Sequence, residues 1–242
     1  MHGTSVDRAV SSTLEASATI EDSRKVTERL RPSSIWWAYR RCSVWTRLHA
    51  VMRYLACPYE ALARFVPEEG AVLDVGCGHG LLALVLEAHD PHGLRRYVGI
   101  DHAAGKIAAA RTLPVASAAF LESEVKSIPS ERYDGVTLVD VLYTIPLAEW
   151  PALLADCRRI LRPGGVLVVK EAVTTPRWKY WLTYVEEVLA VCVFKLTKGS
   201  LPHFESVETY RRSFESVGLH VVNVTRLDAW RPHAHCLFVA EK

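Results

Sequence analysis

Leu73-Asp74-Val75-Gly76-Cys77-Gly78-His79-Gly80 places three glycines at alternate positions behind a short apolar run. That run, Ala71–Val75, is too short for a helix and reads as a buried strand. The residues from Gly80 to His89 read as a helix. A strand that enters a glycine-rich turn and leaves as a helix lets the backbone turn tightly and approach a ligand closely. The next strand, Arg96–Asp101, ends on an acid twenty-one residues after Gly80. In doubly wound folds an acid at that place accepts hydrogen bonds from ribose hydroxyls. Turn and acid together point to an adenosine-containing ligand. The spacing G-x-G-x-G differs from the G-x-G-x-x-G of dinucleotide turns. Asp74, two residues before the first glycine, suits a ligand with a cationic amine and would repel a pyrophosphate.

The alternation continues outward. Ala103–Arg111 reads as a helix, Ser117–Leu121 as a weaker strand, Gly135–Asp140 as a fourth strand and Trp150–Leu161 as an amphipathic helix. Pro163-Gly164-Gly165 stops that helix before a fifth strand, Val166–Glu171. Such alternation implies a parallel sheet covered on both faces. Ser206 caps a helix to Val217, and Gly218 ends it. Two strands, His220–Leu227 and His235–Glu241, close the chain as an antiparallel pair. Two helical segments lie outside this core. One, Ser34 to about Val66, is divided into two helices at Pro58; the other lies within Ala172–Glu205 and runs from about Trp178 to Lys195.

Five segments in order resemble class I S-adenosylmethionine (SAM)-dependent methyltransferases. They are Leu73–Gly80, Val98-Gly99-Ile100-Asp101, Glu124 through Pro129, Tyr133 through Asp140, and Leu161 through Leu167. The resemblance covers roughly Gly70 to Lys242. It implies an α/β, Rossmann-like, seven-stranded, mostly parallel sheet with the last strand antiparallel. Helices lie on both faces, with a helical N-terminal extension and a helical cap insertion after strand five. The expected organisation is a flexible leader over 1–30 and one SAM-binding domain over 31–242. Within that domain, 31–69 forms an N-terminal cap and 172–205 a substrate cap.

The resemblance also implies roles. Gly76, Gly78 and Gly80 would pass beside the methionine portion of SAM, and Asp101 would hold the ribose. His102 would pack on the adenine, and Glu124 stands where the family usually has Asp facing the adenine amine. Asp74 and Asp140 complete the expected cofactor set. An antiparallel last strand would begin at the cofactor edge, so His233 and His235, two apart, would project there together. A neutral imidazole at that place could take a proton from an acceptor hydroxyl. The competing reading has one histidine exposed and the other packed. Glu171 is a third catalytic candidate or else a structural acid. Tyr39, Tyr143, Trp178 and Trp181 are the expected substrate contacts, since both extra segments are rich in aromatic residues.

The expected reaction is methyl transfer to a small, apolar or aromatic acceptor, at oxygen. The alternative is a SAM-using enzyme that cyclises or transfers the carboxypropyl arm and releases methylthioadenosine. Composition narrows the partners. Net charge is +2, and Val-Leu-Tyr-Thr-Ile-Pro follows Asp140 in place of Asn/Asp-Pro-Pro-Tyr. Both features argue against a nucleic-acid substrate. The six cysteines form no C-x-x-C pair, and no metal is expected. A cytoplasmic location is expected, because the N-terminus lacks an apolar signal region and no stretch supplies a membrane span. The Arg-bearing region Arg40–Arg53 leaves peripheral membrane contact open.

Overall fold

The computed structural model describes residues 30–90, 92–175, 204–227 and 234–242. Seven strands form one sheet: β1 Gly70–Val75, β2 Arg95–Asp101, β3 Ala118–Glu122, β4 Tyr133–Val139, β5 Leu161–Ala172, β6 His220–Arg226 and β7 His235–Glu241. Their order across the sheet is β3-β2-β1-β4-β5-β7-β6. β7 is antiparallel to both its neighbours, and the remaining pairs are parallel. The order reverses between β1 and β4, and in such sheets ligands bind beyond the carboxyl ends of the strands at that point.

The helices are α1 Pro32–Ala38, α2 Val44–Ala56, α3 Tyr59–Ala63, α4 Leu81–Ala88, α5 Ala104–Ala110, α6 Trp150–Ile160 and α7 Val207–Ser216. One sheet face, with Val72, Val168, Leu237 and Val239, is covered by α1 to α5. The other, with Leu73, Leu138, Val169 and Phe238, is covered by α6 and α7. Successive residues of a strand therefore serve opposite cores, as the pleat requires. Trp150 shows how tightly the second core is tied. Its ring stacks on Tyr210 at 4.9 Å, and its indole N–H donates to the Leu142 carbonyl at 2.9 Å. That bond fixes the turn leaving β4.

The N-terminal segment is divided twice rather than once. Besides the break at Cys57–Pro58, the chain leaves α1 at Tyr39 and re-enters a helix at Ser43, whose hydroxyl accepts from the Thr46 amide at 3.1 Å. This N-cap was not anticipated; a Ser before an apolar run was its signal. Ser206 caps α7 in the expected way, accepting from the Thr209 amide at 3.1 Å. β5 begins at Leu161, five residues before the expected start at Val166. The 1–30 leader, apart from Leu30, and the whole of the expected insertion helix, Trp178–Lys195, lie outside the described residues.

Candidate active site

The glycine turn follows β1 directly. Gly76, Gly78 and Gly80 all have positive φ, at 75°, 56° and 81°. Gly76 and Cys77 donate their amides to the Ile100 carbonyl at 2.8 and 3.0 Å, which ties the turn to the end of β2. Asp101 is buried there and accepts from the Gly78 amide at 3.0 Å and the Ala103 amide at 2.8 Å. Each bond leaves its oxygen a further lone pair. A Cβ placed on Gly78 would meet nothing within 4 Å, so the turn presents bare backbone to open space. A half-buried, left-handed glycine with open space before it, beside a buried strand-end carboxylate, fits an adenosyl ligand.

Asp74 lies under this turn. Its carboxylate accepts from the hydroxyls of Thr137, at 2.6 Å, and Tyr97. Burial is the main cause that pushes its pKa up to about 6. It thus braces β1 against β2 and β4. His102 is largely exposed, with its imidazole 3.7 Å from Asp101. Glu124 is also exposed and pairs with Lys126 at 2.5 Å.

A charged cluster occupies the ends of β4, β5 and β7. Asp140, one residue past β4, has φ 57°. Its carboxylate is held by Lys170 Nζ at 2.6 and 2.8 Å and by the Arg53 guanidinium from α2. Burial alone would raise the Asp140 pKa; Arg53 and Lys170 more than offset it and hold the carboxyl well below the usual range. Reciprocally, burial opposes the Arg53 charge, and Asp140 holds its pKa above the ordinary value. His235, buried and opposite Ala172 in the β5–β7 ladder, also acts electrostatically on Asp140.

Glu171 projects to the other sheet face. One oxygen accepts from the Val141 amide at 2.9 Å and the Leu142 amide at 2.7 Å. The other is buried without a hydrogen-bond partner among the described residues. Burial, followed by the nearby Asp140 charge, pushes its pKa up to about 8. Tyr143, in the same turn, is buried against Phe204 with ring centroids 5.2 Å apart.

The N-terminal cap roofs the turn. Tyr39 is fully buried and donates its hydroxyl to the His79 carbonyl at 2.9 Å. His49, one helical turn before Arg53 on α2, faces His79 with ring centroids 5.2 Å apart. Its Nδ1 is buried without a hydrogen-bond partner among the described residues. Burial, then the charges of His79, Arg53 and Lys106, lowers its pKa to about 4, so it is neutral at pH 7.

A family model described as a methyltransferase domain matches residues 46–224. The chain belongs to the methyltransferase domain family. SAM is the cofactor of this family. Among curated proteins, the ubiquinone biosynthesis O-methyltransferase of Rhodopseudomonas palustris is 32% identical over 112 residues, 45% of this chain and 41% of that protein. The fatty-acid O-methyltransferase of Mycolicibacterium smegmatis is 26% identical over 170 residues, 68% of this chain and 59% of that one. The chain spans about half the length, or less, of the first curated relatives it matches. The solved structure of the pyocyanin biosynthetic protein PhzM superposes with a TM-score of 0.66 at 19% identity, over 86% of this chain and 61% of that one.

In this domain the fold brings Asp101, Asp140, Glu171 and His235 to the carboxyl edge of the sheet. His233, Trp178 and Trp181 lie outside the described residues. Sequence reasoning missed Lys170, Arg53, His49 and His79 as site residues. His79 stood in the quoted turn itself, and the four-residue spacing of His49 and Arg53 was the available signal for α2.

Proposed function

We propose that this protein transfers the methyl group of SAM to an oxygen of a small, apolar acceptor. The observation that carries this reading is the buried cluster at the ends of β4 and β5. Two cations, Arg53 and Lys170, face one ionised carboxylate, Asp140, and the raised pKa of Glu171 keeps it neutral at pH 7. One positive charge is left over. A low-dielectric site with a surplus cation stabilises an acceptor oxygen as it takes on negative charge.

When bound, SAM supplies an electrophilic methyl group on a sulfonium. Gly76 to Gly80 and Asp101 would hold it at the turn. The protein's own work is then to orient the acceptor, remove its proton and exclude water. His49 offers a neutral imidazole above the turn, its Nδ1 without a hydrogen-bond partner among the described residues, and would accept the hydroxyl proton. His235 is the second candidate for that proton, from the sheet side. Glu171 is a positioning residue that fixes the Val141 and Leu142 amides and so aims Tyr143. The aromatic cap residues favour an apolar acceptor, and the named activities of the ubiquinone and fatty-acid relatives agree with an oxygen attached to a lipid-like body.

The test is mass spectrometry of purified protein with SAM and a panel of alkylphenols and fatty acids. S-adenosylhomocysteine and an acceptor heavier by one methylene on oxygen are expected. Methylthioadenosine from SAM alone, or methyl on nitrogen, would overturn the reading.

A further inference from the structure

Helix α2 has two different sides. Ala50 and Tyr54 enter the core, and His49 and Arg53 face the site. Trp45, Leu48, Met52 and Leu55, spaced three and four apart, share one face, and all are exposed. Trp45 is 72% exposed and Met52 58%; on the preceding helix α1, Trp37 is also exposed, at 64%. An apolar stripe this continuous on a surface helix marks a contact surface.

Charge indicates the partner. From Arg31 to Tyr59 there is no acidic residue, and arginine occurs at 31, 40, 41, 47 and 53. Arg53 is neutralised by Asp140, and Arg47 lies over the Trp36 ring, 3.9 Å from its centroid. Arg31, Arg40 and Arg41 remain exposed beside the tryptophans. A second copy of the chain would set these cations against themselves. Exposed Trp, Leu and Met flanked by uncompensated arginine instead match the boundary between acyl chains and anionic headgroups.

We infer that α1 and α2 dock this protein on an anionic lipid surface, with Trp37, Trp45, Leu48, Met52 and Leu55 entering the headgroup–acyl boundary. α2 would then have its outer stripe in the lipid while His49 and Arg53, on its site-facing side, line the reaction site. An acceptor carried in the bilayer would reach the site along one helix. The docking itself does not depend on the acceptor proposed above.

The test is co-sedimentation of the full chain with phosphatidylcholine vesicles, with and without phosphatidylglycerol. At roughly fivefold per arginine near the surface, the anionic lipid should raise binding by tenfold or more, and high salt should reverse the gain. Trp45→Glu with Met52→Glu should abolish binding while circular dichroism and SAM affinity stay unchanged, since both side chains are exposed. Arg40→Glu with Arg41→Glu should remove the preference for anionic lipid. Absence of vesicle binding would overturn the inference, as would binding indifferent to these substitutions. Light scattering that shows a dimer dissolved by Trp45→Glu would assign the stripe to a second copy instead. None of these readouts involves methyl transfer, so failure here leaves the proposed reaction standing.

Discussion

Lys170 Nζ reaches both carboxylate oxygens of Asp140, at 2.6 and 2.8 Å, from a side chain that is fully buried in β5. The same two residues are joined through the backbone, where the Asp140 amide donates to the Lys170 carbonyl at 2.9 Å. Asp140 keeps a left-handed φ, unusual outside glycine, and this double attachment holds it there. Asp140→Asn would leave Lys170 and Arg53 facing a neutral amide, with buried charge uncompensated. The expected loss is about 3–5 kcal/mol in urea unfolding. Loss under 1 kcal/mol would mean that water or another acid already neutralises the two cations.

Glu171 carries the opposite electrostatics. Its pKa, raised to about 8, means that the folded state keeps the proton while the unfolded state loses it near the ordinary carboxylate value. The native residue is therefore unpenalised in acid and costs stability progressively as pH rises toward 8. Glu171→Gln keeps an acceptor for the Val141 and Leu142 amides without that penalty. Its stability relative to the native protein should be near zero or slightly negative at pH 4.5 and should rise by about 3 kcal/mol by pH 8. A difference that stays flat with pH would show that Glu171 is ionised in the fold.

These two residues show what the sequence makes legible. Asp140 and Glu171 could both be placed at the carboxyl edge, because an apolar run ending in an acid marks a strand end. Their opposite protonation could not be read, because it depends on how distant segments come together: Arg53, 87 residues away from Asp140, holds that carboxylate ionised, while burial and the charge of Asp140 keep the proton on Glu171. Lys170 lies inside an apolar strand, where a lysine is expected at an edge or on a solvated face, so its buried pairing has no local signature. The glycine turn, the succession of strands along the chain and the α7 cap were legible since each rests on neighbouring residues. His49 was not, because the way α2 folds back over the turn follows from the break at Tyr39–Ser43.

His49 should make the protein sensitive to acid. A histidine held neutral with a pKa near 4 contributes stability above its unfolded value of about 6.5, and that contribution is lost as pH falls from 6.5 to 4. His49→Gln should flatten that part of the stability profile by at most ~2 kcal/mol, discounted for partial exposure. If Nδ1 accepts the acceptor proton, the same variant should lower kcat by about a hundredfold or more with SAM affinity within a few-fold. His235→Ala serves as the comparison. Loss of turnover in that variant, with none in His49→Gln, would move the base to the β7 side of the site.

Gly78 and Gly80 belong to one turn and have the same backbone hand, yet they should answer to different measurements. A methyl group on Gly80 would come within 2.9 Å of the Phe120 ring and 3.0 Å of Leu113, both buried. Gly80→Ala therefore combines left-handed strain with overpacking, and should cost about 2–4 kcal/mol of stability. A methyl group on Gly78 meets no protein atom, so Gly78→Ala carries only the backbone strain, about 1 kcal/mol. Its larger effect should fall on the cofactor, because the new methyl group fills the space through which SAM approaches the backbone. The expected outcome, by calorimetric titration, is SAM affinity reduced at least about tenfold in Gly78→Ala at nearly native melting temperature. Native SAM affinity in that variant would mean that the ligand does not lie against Gly78, and the cradle would have to be sought elsewhere along the β1–β4 crevice.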